Sequence, residues 1–152
     1  MRTLPGVAIS VWLGAMAFFA FLVAPAAFRT LEREAAGRFV AAIFPRYYQA
    51  GVVLGVLALA GCLGRGLARG GRGLDWLAFG LVSLMLALTL YAWLVVLPAA
   101  HAAREAMRGA DGGPTSQVAL RFARLHRISG VLNGAVMLAG AAVLVMEVAR
   151  RP

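Results

Sequence analysis

Four long apolar runs constrain this chain more than any other feature of its sequence. They cover about residues 4–28, 45–64, 76–100 and 118–147. Each run is long enough for the roughly 20 residues that an α-helix needs to cross the hydrocarbon of a bilayer. None shows the alternation typical of a strand, and a helix satisfies its own backbone hydrogen bonds in lipid. The pattern predicts an all-α integral membrane protein, folded as a single four-helix bundle in the lipid bilayer.

Composition supports the membrane assignment and narrows the range of partners. Hydrophobic residues make up 62% of the chain and charged residues only 14%, whereas soluble domains average about 45–50% and about 25%. The 15 basic residues, all arginine, exceed the 6 acidic ones and give a net charge of +9. Because the arginines bracket the apolar runs instead of forming one basic domain, they indicate contact with lipid headgroups and not nucleic-acid binding.

The connection between the first two runs is amphipathic. Charged residues between Arg29 and Arg38 are followed by apolar residues at helical spacing up to Phe44. This pattern predicts an amphipathic segment at the membrane interface, with the second spanning helix beginning at Pro45, where a missing N–H is tolerated. The alternative is one long helix that is kinked at Pro45.

Small residues recur four positions apart on three of the predicted helices. Such spacing lets helix backbones approach closely in lipid, and it predicts tight packing within the bundle or in a homo-oligomer. The residues are Gly6, Ser10 and Gly14 on the first helix, Gly51 and Gly55 on the second, and Gly130 and Gly134 on the fourth.

Successive spanning helices run in opposite directions, so the position of a residue along its helix predicts at which end of the bundle it lies. We call the end that holds the N-terminus side A and the opposite end side B. Side A receives mainly arginines and glycines, and Glu147 is expected to pair there with Arg150 and Arg151. Side B receives most of the residues suited to chemistry: Pro25, Phe28, Arg46, Tyr47, Tyr48, Pro98, His101 and His126.

The fourth helix carries the polar residues that most suggest a site. At 100° per residue, one stripe contains Phe122, His126, Gly130, Asn133, Met137 and Gly140, with Ser129 at its edge. Three arginines, at 121, 124 and 127, lie on the opposite side, where they can reach lipid phosphates. The stripe predicts that His126 and Asn133 face the bundle interior, where they either pair across helices or bind a ligand.

A ligand-binding site on side B would combine these residues with the start of the second helix. Arg46 would hold an anionic group, and Tyr47 or Tyr48 would donate a hydrogen bond. Pro25 would free backbone carbonyls to line a small polar cavity, or simply kink the first helix. The full candidate site is Pro25, Phe28, Arg46, Tyr47, Tyr48, His126, Ser129 and Asn133.

Metal binding is the sharpest chemical hypothesis that the sequence offers. His101 and His126 share side B, and two imidazoles can ligate haem iron or join methionines around copper. Cys62 lies near side A and is interpreted as a small apolar helix residue. The chain contains no phosphate loop, nucleophile elbow or pair of catalytic carboxylates, so hydrolase and kinase functions have no support.

Three blocks of residues resemble a known family. They are Trp12-Leu13-Gly14 with Val23-Ala24-Pro25, then Phe44-Pro45-Arg46-Tyr47-Tyr48, and finally Leu125-His126-Arg127-Ile128-Ser129 with Leu132-Asn133. Together they resemble the bacterial branch of the transmembrane protein 205-like family, and more distantly the copper-resistance D and HemJ-type membrane proteins. The resemblance implies a four-helix membrane protein of unknown function, with a hint of export or metal handling.

These observations predict a non-enzymatic multi-pass protein, located in a bacterial inner membrane, that binds or helps move a small ligand or metal on side B. Transport by so short a chain would require oligomerisation. Two alternatives remain open. One is a haem- or metal-dependent membrane oxidoreductase, and the other is a structural or assembly protein without a ligand.

Overall fold

The chain forms four long helices in a computed structural model that describes residues 4–68, 70, 73–109 and 117–149. No strand occurs in these ranges, and each helix is long and apolar enough to cross a membrane. The predicted all-α, membrane-type four-helix fold is confirmed, and each predicted span lies within one helix. The helices are α1 (Leu4–Thr30), α2 (Arg33–Ala68), α3 (Gly73–Met107) and α4 (Gln117–Ala149).

The outer surface of the helices is apolar, as expected for a protein surrounded by lipid. Phe21 is 70% exposed and Leu138 is 75% exposed, and contiguous apolar surface of this kind is rare on soluble monomers. The interior on side A is packed with small and branched side chains around Ile9 and Val82. Larger residues, including Trp12 and Met85, fill the middle of the bundle.

Helix α2 runs without interruption through Pro45. Only Leu31 and Glu32 separate it from α1, and Leu31 is extended. The prediction of a separate interfacial segment before Pro45 is therefore wrong, and the alternative of one long helix is confirmed. At about 1.5 Å per residue, the 36 residues of α2 exceed the roughly 30 Å hydrocarbon thickness. The amphipathic residues thus form the side-B end of α2.

Two of the helices contain a short π-helical segment before a proline. In α1 the segment is Phe19–Val23 and precedes Pro25. In α3 it is Ala92–Val96 and precedes Pro98. Proline lacks the N–H of an ordinary helical turn, and a wider turn is one way in which a membrane helix accommodates it.

Each π segment lies in the first helix of a helical hairpin. The interval from Pro25 to Pro98 equals the interval between the two π segments, and it also separates Trp12 from Met85, which are both buried. We call α1 with α2 hairpin 1 and α3 with α4 hairpin 2. Each helix packs against the next, and α4 returns to α1. On side B, residues 24–30 pack against α2 and residues 97–109 pack against α4, so close packing there lies mainly within each hairpin.

The small residues predicted to mediate helix contacts divide into two groups. A methyl group added at Gly51 would lie 2.8 Å from Nε1 of Trp12, so this part of α2 is packed within the chain. By contrast, nothing lies within 4 Å of such a group at Gly6, Gly14, Gly130 or Gly134. The small faces of α1 and α4 are therefore directed away from the core, and their role in a homo-oligomer stays a prediction.

Candidate functional site

Four of the predicted site residues meet on side B and join α2 to α4. The Tyr47 hydroxyl donates to Oδ1 of Asn133 at 3.2 Å, and the Tyr48 hydroxyl lies 3.3 Å from Oγ of Ser129. Tyr48 is buried and the other three are half-buried. We call these four residues the side-B cluster. Polar side chains within apolar helices usually pair in this way, and here each pair links one hairpin to the other.

Aromatic rings surround the tyrosines on the hairpin 1 side. Phe44 stacks on Tyr48 with ring centroids 5.9 Å apart, and Phe19 contacts both Phe44 and Tyr47. Residues 44, 47 and 48 share one face of α2 because positions three and four apart are neighbours on a helix. Phe19 and Phe44 were not predicted as site residues, although the helical spacing of Phe44 from the tyrosines was a usable signal.

The side-B cluster is neutral, and its hydrogen bonds are long. It consists of three hydroxyls and one amide, and the O···O distances of 3.2 and 3.3 Å exceed the 2.7–2.8 Å typical of hydroxyl donors. A long hydrogen bond holds its partners less firmly than one of ordinary length. The hydroxyl and amide groups of the cluster can both donate and accept hydrogen bonds.

His126 does not face the interior, so the predicted stripe on α4 is wrong at this residue. The imidazole is exposed and stacks on Phe122 with ring centroids 6.3 Å apart. Gly130 is exposed as well, but from Asn133 onward the stripe is correct, because Asn133 and Met137 are half-buried and Gly140 is buried. The physical reason is that α1 packs against α4 mainly through residues before its π segment, which leaves the side-B end of this α4 face uncovered.

Three further site predictions lie apart from the side-B cluster. Arg46 and Phe28 are exposed, and Pro25 is half-buried in α1 beside the π segment. Arg46 has no hydrogen-bond or ion-pair partner among the described residues. The structure therefore does not place an arginine next to the tyrosine hydroxyls.

The two histidines that motivated the metal hypothesis have different environments. Nε2 of His101 is buried and has no hydrogen-bond partner among the described residues, whereas His126 is exposed on α4. Within the described part of the chain, no three His, Cys, Asp or Glu side chains are grouped to hold a metal. The haem or copper hypothesis required both imidazoles in the interior, and only His101 retains a partly buried setting.

A buried ionic cluster on side A was missed by the sequence analysis. Arg65 of α2 contacts both carboxylate oxygens of Glu147 in α4, at 2.6 and 2.7 Å, and its Nε lies 3.2 Å from Oδ1 of Asp75 in α3. The three side chains are only 4%, 13% and 3% exposed, respectively. We call these three residues the side-A latch, because Arg65 of hairpin 1 holds both helices of hairpin 2.

The side-A latch also bears on two predictions, the ion-pair partner of Glu147 and the role of Cys62. Glu147 was expected to pair with Arg150 and Arg151, which lie outside the described residues, but the structure pairs it with Arg65. Cys62 is buried, as predicted for a small apolar residue, and its Sγ also accepts a long contact of 3.7 Å from Arg65. The sequence signal for the latch was the presence of Asp75 and Glu147 within otherwise apolar helix ends.

Comparison with known proteins gives a family but no activity. An uncharacterized protein from Aquifex aeolicus (strain VF5) is 37% identical over 93 residues, which make up 61% of this chain and 64% of the relative's own length. No solved structure matches the chain. A family model described as a domain of unknown function, DUF4149, matches residues 7–109 and thus covers most of α1 and all of α2 and α3. The chain belongs to the DUF4149 family, whose function is unknown.

Proposed function

We propose that this multi-pass membrane protein binds a small ligand on side B, between its two hairpins. The observation that carries the proposal is the contrast between the two ends. On side A a buried arginine holds two carboxylates at distances down to 2.6 Å. On side B the side-B cluster joins the hairpins through long hydrogen bonds between neutral groups, and Arg104 donates to the backbone carbonyls of Gly37 and Glu34 towards the end of α2. A ligand on side B would replace those hydrogen bonds at little cost.

The chemistry of the side-B cluster suggests the class of ligand. Hydroxyl and amide donors suit a molecule with hydrogen-bond acceptors, and the rings of Phe19 and Phe44 suit a planar apolar body. None of the four cluster residues is charged. These features favour a neutral, membrane-soluble and planar compound that carries carbonyl groups. Entry from the bilayer would pass the uncovered face of α4 near His126.

A specific observation also favours the structural alternative. The side-A latch and the side-B cluster together link the two hairpins at both ends, as expected if the polar residues only fix helix positions. The oxidoreductase alternative rests on His101 alone. From the resemblance to the bacterial branch of the transmembrane protein 205-like family, we further propose a bacterial inner-membrane location. Because the chain is short, any movement of the ligand would be carried out by a homo-oligomer.

Binding of menadione, a small neutral quinone, tests the proposal. Tyr47→Phe removes one donor from the cluster, and Tyr91→Phe makes the same change at an exposed position on α3. Menadione should raise the melting temperature of the purified wild type and of Tyr91→Phe in detergent. Because a hydrogen bond contributes about 0.5–1.5 kcal/mol, Tyr47→Phe should weaken menadione binding roughly two- to twelvefold.

Two other outcomes would contradict ligand binding of this kind. If menadione does not stabilise the wild type and Tyr47→Phe only lowers the melting temperature, the structural role is favoured. If the purified protein shows a haem absorbance band or stoichiometric metal that His101→Ala removes, the oxidoreductase alternative is favoured instead.

A further inference from the structure

The outward face of α4 carries charged residues near side B and apolar residues towards side A, which is the order of headgroup and acyl chains in a phospholipid. Arg124 and Arg127 are exposed near its side-B end. Towards side A the same face presents Val131, Leu138 and Val145, which are 67%, 75% and 68% exposed. At 100° per residue these five positions fall within an arc of about 60°. A cationic upper part is therefore continuous with an apolar lower part on a single helix face.

The two guanidinium groups are available to an external anion. Neither Arg124 nor Arg127 has an ion-pair partner among the described residues, in contrast to Arg38, which pairs with Glu34 at 2.6 Å. Guanidinium groups bind phosphate through parallel hydrogen bonds. They lie near the side-B end of α4, and arginines at the end of a spanning helix can extend to lipid phosphates.

A glycine provides space for an acyl chain below the arginines. Gly134 lies between Val131 and Leu138 on this side of α4, and nothing is found within 4 Å of a methyl group added there. The rise from Arg127 to Leu138 is about 16 Å, close to half of the roughly 30 Å hydrocarbon thickness. The part of the face from Arg127 to Leu138 therefore matches the depth of one leaflet, and Val145 lies deeper, towards side A.

We propose that this face of α4 binds an anionic phospholipid of the side-B leaflet, with its phosphate on Arg124 and Arg127 and an acyl chain along Gly134. A second copy of the chain fits the face less well. A symmetric dimer packed through α4 would bring each arginine pair close to its own counterpart, and like charges across an interface disfavour association.

Lipid retention by the purified protein tests this inference. Native mass spectrometry would compare retention of palmitoyl-oleoyl phosphatidylglycerol with retention of the corresponding phosphatidylcholine. Arg124→Gln/Arg127→Gln should weaken phosphatidylglycerol retention roughly tenfold, because basic residues near an anionic surface each contribute to binding. The control Arg29→Gln/Arg33→Gln removes the same charge from exposed side-B residues and should retain the lipid as the wild type does.

A second variant examines the acyl-chain part of the face. Gly134→Leu fills the open space without touching the arginines, and it should also weaken phosphatidylglycerol retention. Equal losses in the two double-arginine variants would overturn the proposal, because they would indicate bulk charge only. Equal retention of both lipids by the wild type would overturn it as well. Conversion of an oligomer to a monomer by Gly134→Leu would assign the face to a second copy.

Discussion

Arg65 stabilises the bundle through contacts that are out of reach of water. Its side chain is 4% exposed and meets Asp75 and Glu147, which come from two different helices of hairpin 2. Separating a buried charge from its partner costs far more than separating an exposed pair, because the remaining charge has neither water nor a counter-ion. The exposed pair of Arg38 and Glu34 provides the comparison within the same chain.

Arg65→Gln should strongly destabilise the protein. The substitution leaves the buried carboxylates of Asp75 and Glu147 without the guanidinium that contacts both, and loss of one partner from a buried ion pair costs about 3–5 kcal/mol. Glu34→Gln removes an exposed partner and should change the free energy of unfolding by no more than about 1 kcal/mol. Denaturant unfolding in mixed micelles would measure both values. Similar small effects for the two variants would show that the latch does not stabilise the fold.

Individual residues of the side-B cluster were predictable to different degrees. Tyr47, Tyr48 and Asn133 were correctly brought to one end because helix direction alone decides which end a residue occupies. His126 was misplaced, although its angle on α4 is close to that of Asn133. Whether a residue on a given face of α4 is buried depends on the neighbouring helix. Helix α1 contacts α4 mainly through residues before the π segment of α1, and this cannot be derived from the sequence of α4.

Helices α1 and α2 approach each other closely near side A. A methyl group added at Gly61 would lie 2.7 Å from Cγ of Pro5, and 3.3 Å from its backbone nitrogen. Because part of the obstacle is backbone and a rigid proline ring, the neighbour cannot simply rotate away. Gly64, one turn further along α2, has nothing within 4 Å of such a group.

Gly61→Ala and Gly64→Ala should therefore change stability in opposite directions. The first forces the two helices of hairpin 1 apart, and overpacking of this kind costs about 1–3 kcal/mol. The second replaces glycine in an open helical position, where alanine is favoured by roughly 0.5–1 kcal/mol. Melting temperatures in detergent would record the two shifts. A stabilising Gly61→Ala would contradict the close contact with Pro5.

At the level of elements, hydropathy predicted the four membrane-spanning segments but not the continuity of α2 through Pro45. The four spans followed from run length because only about 20 apolar residues are needed to cross the hydrocarbon. Pro45 was interpreted as a helix start because proline usually interrupts a helix in water. In the folded bundle α2 continues through Pro45. Packing against neighbouring helices can stabilise a helix at a proline, and the local sequence does not indicate such packing.

The whole molecule consists of two similar hairpins that are linked differently at their two ends. On side A the link is ionic and buried. On side B it consists of the side-B cluster and of Arg104, which donates to the backbone carbonyls of Gly37 and Glu34. Backbone packing on side B lies mainly within each hairpin. Relative motion of the hairpins should therefore be larger on side B, with side A acting as the fixed end.

Distances between spin labels on α2 and α4 would measure this difference. In a Cys62→Ser background, one pair of labels replaces the exposed residues Phe39 and Leu120 on side B. The matched pair replaces Leu63 and Val145, which are exposed on side A. Double electron–electron resonance should give a broad distance distribution for the first pair and a narrow one for the second. Tyr47→Phe should broaden only the side-B distribution, since it removes a link between the hairpins there. Equal widths at the two ends would show that the hairpins move as one body, and ligand entry between them would then lack a structural basis.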